Sequence, residues 1–230
     1  MRYSLRGVIA SGGFTSGHRV VIGDWSETPI GPMVDVMWCD PHGRRTLFAP
    51  DAGVARFIEA VYQFDDVVVA PFTATGNGWA VRIELADRMV ELVAGPGWRI
   101  PVGRPAWFTR LVEAPLGHAL LGVRTYGTSP SGVREWYRAD ASRPVQCGFG
   151  RLAGQSLGRL ALEWEPALFG FSEPPSRASL VEVRPLLEDP SGRLDRALSA
   201  AVGERQACGR RLSCGPLCSH EPWPATAPSS

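Results

Sequence analysis

Residues 120–140 read LLGVRTYGTSPSGVREWYRAD, two runs rich in β-branched and aromatic residues flanking Ser129, Pro130, Ser131 and Gly132. Pro at the second turn position and Gly at the fourth are the chemistry of a tight turn, so the stretch is predicted to be a β-hairpin. If Gly127 pairs with Gly132, then Tyr126 faces Val133, Arg124 faces Glu135 and Gly122 faces Tyr137, with Trp136 on the other side. An Arg and a Glu directly across a ladder contribute about 0.2–1 kcal/mol and help fix the register. Arg124, Glu135, Tyr137 and Trp136 are therefore candidate ligand-binding residues, although an ordinary cross-strand ion pair is the commoner role for Arg124 and Glu135.

Working outward, the same pattern recurs. Trp79, Val81, Ile83 and Leu85 alternate with Ala80, Arg82, Glu84 and Ala86. Folding at Ala86 and Asp87 sets Ile83 against Val90, Val81 against Leu92 and Trp79 against Ala94, with Arg82 meeting Glu91 on the reverse face. Val34 to Ala49 is a further hairpin turning at Asp40, Pro41, His42 and Gly43. Closed by Cys39 and Arg44, it puts Val34, Val36, Trp38, Leu47 and Ala49 on a core face. Asp35, Met37, Thr46 and Phe48 then share a mixed face, where Asp35 is a candidate site carboxylate expected to be solvated. Arg2 to Ala10 and Arg19 to Trp25 read as strands around a Gly- and Ser-rich turn, and Trp25 sits at the mouth of a Pro-bearing loop, where it caps a core or meets a ligand.

Helical spacing is confined to short stretches. Asp51 is a natural N-cap, followed by Val54, Phe57, Ile58, Val61 and Tyr62 along one stripe. Pro105 opens a second short helix that Pro115 stops. Strands are predicted near Val145 to Leu152, Gly158 to Trp164 and Leu180 to Leu186. The fold class that follows is mainly β: an antiparallel barrel or two-sheet sandwich with two or three short packing helices. Residues 1–187 are expected to form a single β-rich domain. In 188–230, Leu194, Ala197, Leu198, Ala201 and Val202 suit one short amphipathic helix, and a polar, Pro-rich tail from about Gly203 is expected to be disordered.

Composition removes several chemistries. All 24 basic residues are Arg, and Schiff-base, pyridoxal-phosphate and Walker A chemistry each need a Lys amine that Arg, protonated near neutrality, does not replace. Against 23 acidic residues the net charge is +1, and no basic run suggests a nucleic-acid partner. No apolar run approaches the ~18 residues of a membrane helix, and the amino terminus lacks the apolar core of a signal peptide. A soluble, cytoplasmic protein without a cofactor is expected. Cys39 and Cys147 lie in apparent strands as small hydrophobes.

Four local motifs carry weaker signals. Gly154 to Gly158 spells G-x-S-x-G, but a nucleophile elbow needs strand, strained turn and helix, with a His later in the chain. Ser156 instead lies between strand-like runs, so a Gly-rich turn is expected. Gly148, Gly150 and Ala153 match G-x-G-x-x-A without a helix to follow. Cys208, Cys214, Cys218 and His220 supply soft donors for zinc, but in a spacing that fits none of the usual knuckles. His118 with Glu135 and Tyr137 forms the candidate acid–base set.

Asp24 and Trp25, the DPHG hairpin, the VRTYG hairpin and the FGFSEPP segment together resemble a conserved, functionally unassigned bacterial family of similar size. Val123 to Tyr126, Gly132 with Val133, and Asp140 to Ser142 are in turn similar to a strand pair in acetoacetate-decarboxylase-like proteins. That likeness implies a β-rich fold opening a cone-shaped cavity. It does not bring the decarboxylase activity, which depends on a lysine amine absent here. The expected function is non-catalytic binding of a small, largely apolar ligand in a sheet cavity, motivated by the surplus of Trp and Phe. Two alternatives stand beside it: a cofactor-independent hydrolase, isomerase or lyase using carboxylate, His or Tyr, and a scaffold protein without a pocket.

Overall fold

The computed structural model describes residues 1–99, 126–129, 131–165, 167, 169–170 and 176–211, with Tyr126 and 204–211 described by their backbone. The chain is mainly β, as its alternating patterns predict. The first half runs β1 (Arg2–Ser4), β2 (Arg6–Gly13), β3 (Arg19–Glu27), β4 (Met33–Cys39), β5 (Arg45–Ala49), α1 (Ala52–Glu59), β6 (Asp66–Val69), β7 (Thr73–Gly76), β8 (Ala80–Leu85), β9 (Arg88–Ala94) and β10 (Trp98–Arg99). The second half runs β11 (Tyr126–Thr128), β12 (Arg134–Trp136), β13 (Ala139–Leu152), β14 (Gln155–Ser156), β15 (Ser179–Val183), β16 (Leu186–Glu188) and α2 (Arg193–Arg211).

The large sheet has the order β6-β5-β4-β3-β2-β15-β13-β9-β8-β7, and a small one has the order β1-β16-β12-β11. The first and last strands of the large sheet, β6 and β7, are consecutive in the chain and joined by Ala70, Pro71 and Phe72 alone. So short a link spans at most about 14 Å. The sheet must therefore curl until its two edges come together, and buried Phe72 sits at that seam. One pair departs from the antiparallel expectation: β5 and β6 are parallel, with α1 as the crossover.

Alternation divides the apolar residues between two layers. Val20 and Ile22 of β3, Val36 and Trp38 of β4, Ile83 of β8 and Leu92 of β9 fill the inside of the curl. Val21 and Trp25 of β3 and Met33, Met37 and Cys39 of β4 point outward, where Phe57 and Ile58 of α1, Leu194 and Leu198 of α2, and Val133 and Leu187 beside the small sheet cover them. Sheet β2–β5 is thus dry on both faces.

Asp51 accepts from the Val54 N–H at 2.9 Å and caps α1 as predicted. The predicted short helix around Leu194 to Val202 exists and continues to Arg211. It packs on α1, its first turn held by Asp189, which accepts from the Leu194 N–H. Tyr3 of β1 donates to Asp195 and ties the small sheet to the same helix. Among the described residues no helix is long and apolar enough to cross a membrane.

The β8–β9 register is the predicted one, with Ile83 opposite Val90, Val81 opposite Leu92 and Arg82 opposite Glu91. Two others are corrected. Cys39 pairs with Arg45, not Arg44, so Leu47 and Ala49 lie on the outer face with Asp35, while Phe48 joins Trp38 inside. Gly127 pairs with Glu135, not Gly132. Both loops carry a Gly at positive φ, +85° at Gly43 and +87° at Gly132, whose N–H donates to the Asp40 and Ser129 carbonyls respectively. Each three-residue loop holds one residue more than a two-residue turn, which accounts for the one-residue shift at Gly43 and for part of the three-residue shift at Gly132. Two smaller predictions also fail: Gly158 to Trp164 forms no strand beyond one bridge at Leu160, and Cys147 is exposed.

Candidate functional site

Glu135 is 2% exposed on β12, the same face as buried Val133 and opposite in direction to Trp136. Its ladder neighbours are Gly127 on one side and Leu187 on the other. The cross-strand pair with Arg124 is therefore overturned: glycine, not arginine, stands across from Glu135. The partner Glu135 does have comes from a distant part of the chain. Tyr62, in the turn that follows α1, donates its hydroxyl to Glu135 Oε1 at 3.0 Å. The tip of the same hairpin docks there too, since Ser131 Oγ donates to the Val61 carbonyl at 3.4 Å.

Asp35, expected on a half-exposed face, is 1% exposed. The helices that cover β4 exclude the water that strand periodicity alone would have allowed it. Trp25 Nε1 donates to Asp35 Oδ1 at 2.8 Å. Gly7, paired with Trp25, leaves room for both backbone and indole: a β-carbon there would come 2.3 Å from the Asp24 carbonyl oxygen and 2.9 Å from Trp25 Cε3.

The remaining oxygens, Asp35 Oδ2 and Glu135 Oε2, are both buried without a hydrogen-bond partner among the described residues. Burial pushes Asp35 up to about 7, against the opposing pull of the Trp25 bond. Burial likewise pushes Glu135 up to about 7, against the Tyr62 bond. Tyr62 is raised well above the ordinary phenol range by burial and by Glu135, with Tyr137 and Asp35 adding to it. Burial and then Glu135 raise Tyr137 as well. Asp35, Tyr62, Glu135 and Tyr137 are thus one electrostatic group between the large sheet and its outer cover.

Comparison of the chain with protein-family models, curated proteins and solved structures brought out no match. The site is read from its own chemistry. Two carboxyls that titrate near neutrality, each steadied by an aromatic donor and each with a free oxygen, can accept hydrogen bonds, give up a proton or take one.

Of the predicted residues, Glu135 and Tyr137 come together and Trp136 points away from them. His118, Arg124, Cys214, Cys218 and His220 lie outside the described residues, as does the side chain of Cys208. No group able to hold a metal ion is found among the described residues. Arg82 and Glu91 make an exposed pair at 3.3 Å on the outside of the curl, so they do not anchor an enclosed ligand. Ser156 lies in a β13–β14 hairpin and its Oγ accepts from Gly158 N at 3.1 Å; with no helix after it, it is not on a nucleophile elbow. Gly148 and Gly150 sit inside β13, making room for Leu160 and Leu157.

Sequence reasoning missed Tyr62 as a site residue and offered Trp25 as a core cap or a ligand contact without foreseeing its bond to Asp35. Tyr62 looked like an apolar stripe member, and the available signal was that it carries a polar atom that needs a partner once buried.

Proposed function

We propose that the protein binds a small, largely apolar molecule between the large sheet and its outer cover, with Glu135, Tyr62 and Asp35 as polar anchors. The observation that carries this reading is the pair of enclosed oxygens, Glu135 Oε2 and Asp35 Oδ2, left without partners among the described residues in a largely apolar layer. An unsatisfied buried polar group costs about 1–3 kcal/mol, and a few convergent polar groups in an apolar setting are what a ligand site consists of. Trp25, Met33 and Met37 on the sheet side offer the aromatic and thioether surface that suits such a body.

Native mass spectrometry of the purified protein, with thermal shift across lipids and metabolites, tests it. A retained small molecule, or a shift that Glu135→Gln removes, is expected. A bare mass together with no shift across the panel would overturn it.

A second reading, a cofactor-independent acid–base enzyme of hydrolase, isomerase or lyase type, draws on one observation. Glu135 titrates near 7 beside two tyrosines, where a general base is most effective. On this reading kcat/KM toward an active substrate rises through one ionisation near pH 7 that Glu135→Gln abolishes. A profile unchanged by that substitution would sink it.

A further inference from the structure

Several carboxylates of this molecule meet arginines, and the buried carboxylate Asp189 is served by Ser191 and by the Leu194 N–H. Arg143 reaches Glu182 at 2.8 Å, Arg45 reaches Asp65 at 3.0 Å and Arg2 reaches Glu188 at 3.1 Å. The two enclosed carboxyls are treated differently. Against burial, Glu135 has only the Tyr62 hydroxyl, and Asp35 has only the Trp25 indole, with Asp24 adding to its difficulty. No Arg or His among the described residues lowers either one. Both nonetheless bear on the same hydroxyl, that of Tyr62. The layer thus brings two potential negative charges to one phenol and withholds the positive charge a buried carboxylate ordinarily requires.

We infer that the ligand of this site carries a cationic nitrogen, an ammonium on a compact apolar body, held by Glu135 Oε2, the buried oxygen left over beside the Tyr62 bond. The inference rests on the binding reading above and gives that ligand a chemical class. An ammonium presents several N–H donors, where a hydroxyl presents a single O–H and leaves an oxygen unserved. An anionic ligand would set like charge against Glu135 and Asp35 in a medium that screens little.

The test is calorimetric titration of the full chain at pH 6.5 with matched ammonium, alcohol and carboxylate probes on butyl, hexyl, cyclohexyl and benzyl bodies. Each titration is run in phosphate and in the zwitterionic sulfonate buffer MES, which both buffer at this pH and differ in ionisation enthalpy. At least one ammonium is expected to bind tenfold or more tightly than its alcohol, and the carboxylate not at all. Glu135→Gln should remove that preference. Binding should also release protons, because a cation beside a carboxyl that titrates near 7 drives its proton off. The proton release is read on the unmodified chain, so the inference stays falsifiable if Glu135→Gln loses its native circular dichroism. An alcohol equal to or better than its ammonium, or ammonium uptake without proton release, would overturn the cation and leave the binding reading standing. Silence from every probe would overturn both.

Discussion

Gly23 stands directly across the ladder from Asp35, and the β-carbon it lacks would lie 2.5 Å from Asp35 Oδ1 and 2.4 Å from Trp25 Nε1. The hydrogen bond between Trp25 and Asp35 passes over a glycine because nothing larger leaves it room. Gly23→Ala should therefore separate the two, leaving an enclosed indole N–H and both carboxyl oxygens unserved. Overpacking and a lost buried partner each cost about 1–3 kcal/mol. A drop of about 2–4 kcal/mol in urea unfolding is expected, together with a changed tryptophan emission. An unchanged midpoint would show that Trp25 and Asp35 adjust without penalty.

The enclosed carboxyls also set a pH dependence. Asp35 goes from 3.8 in the open chain to about 7 when folded, and Glu135 from 4.5 to about 7. Below about pH 3 both are largely protonated in either state and cost little. Between pH 4 and 7 the unfolded chain sheds these protons first, so stability falls as pH rises, by up to about 1.4 kcal/mol per pH unit for each group, and levels off above 7. Asp65, Asp66 and Asp189, held below the usual carboxylate range, act in the opposite sense only at the acid end. Urea midpoints from pH 4.5 to 8 should decline, and Asp35→Asn with Glu135→Gln should flatten the decline. A midpoint that rises over that window would refute this account.

The hairpin turns explain which parts of the fold were legible. Two-residue closure at Ala86 and Asp87 leaves strand parity intact, and there the alternation of Val81, Ile83 and Leu85 sufficed to give the register. At Gly43 and Gly132 the turn adds a residue in the left-handed region, which the letters D-P-H-G and S-P-S-G permit but do not force. A register shift of an odd number of residues exchanges the faces of a strand, and it set Gly127 across from Glu135. The prediction is direct: a β-carbon meets nothing within 4 Å at either glycine, so Gly43→Ala and Gly132→Ala should each cost about 1–2 kcal/mol through backbone conformation alone. Equal stability of both variants by urea unfolding would show that the bulge relaxes.

The site was legible only by halves. Glu135 and Tyr137 stood out because they share a strand face in a well-marked hairpin. Asp35 was visible as a strand carboxylate but misjudged as solvated. Its burial depends on α1, α2 and the small sheet covering β4 from outside, a non-local fact that two-residue periodicity does not encode. Tyr62 lies on the helical stripe with Val54, Phe57 and Ile58, and nothing in that spacing reveals that its hydroxyl meets a residue 73 positions later.

That long-range bond is itself measurable. Tyr62→Phe keeps the ring, against which the Gly170 backbone packs closely, and removes only the donor, leaving Glu135 with two unpartnered oxygens. Glu135→Gln keeps the shape and removes the charge. In a double-mutant cycle by urea unfolding at pH 8, where Glu135 is mostly ionised, the two substitutions should couple by about 1.5–3 kcal/mol, the range for a hydrogen bond to a charged group. At pH 5, with the carboxyl protonated, the coupling should fall toward about 1 kcal/mol, as for a neutral pair. A coupling near zero at both pH values would mean that the α1 terminus and the β12 hairpin are held together by packing and not by this bond.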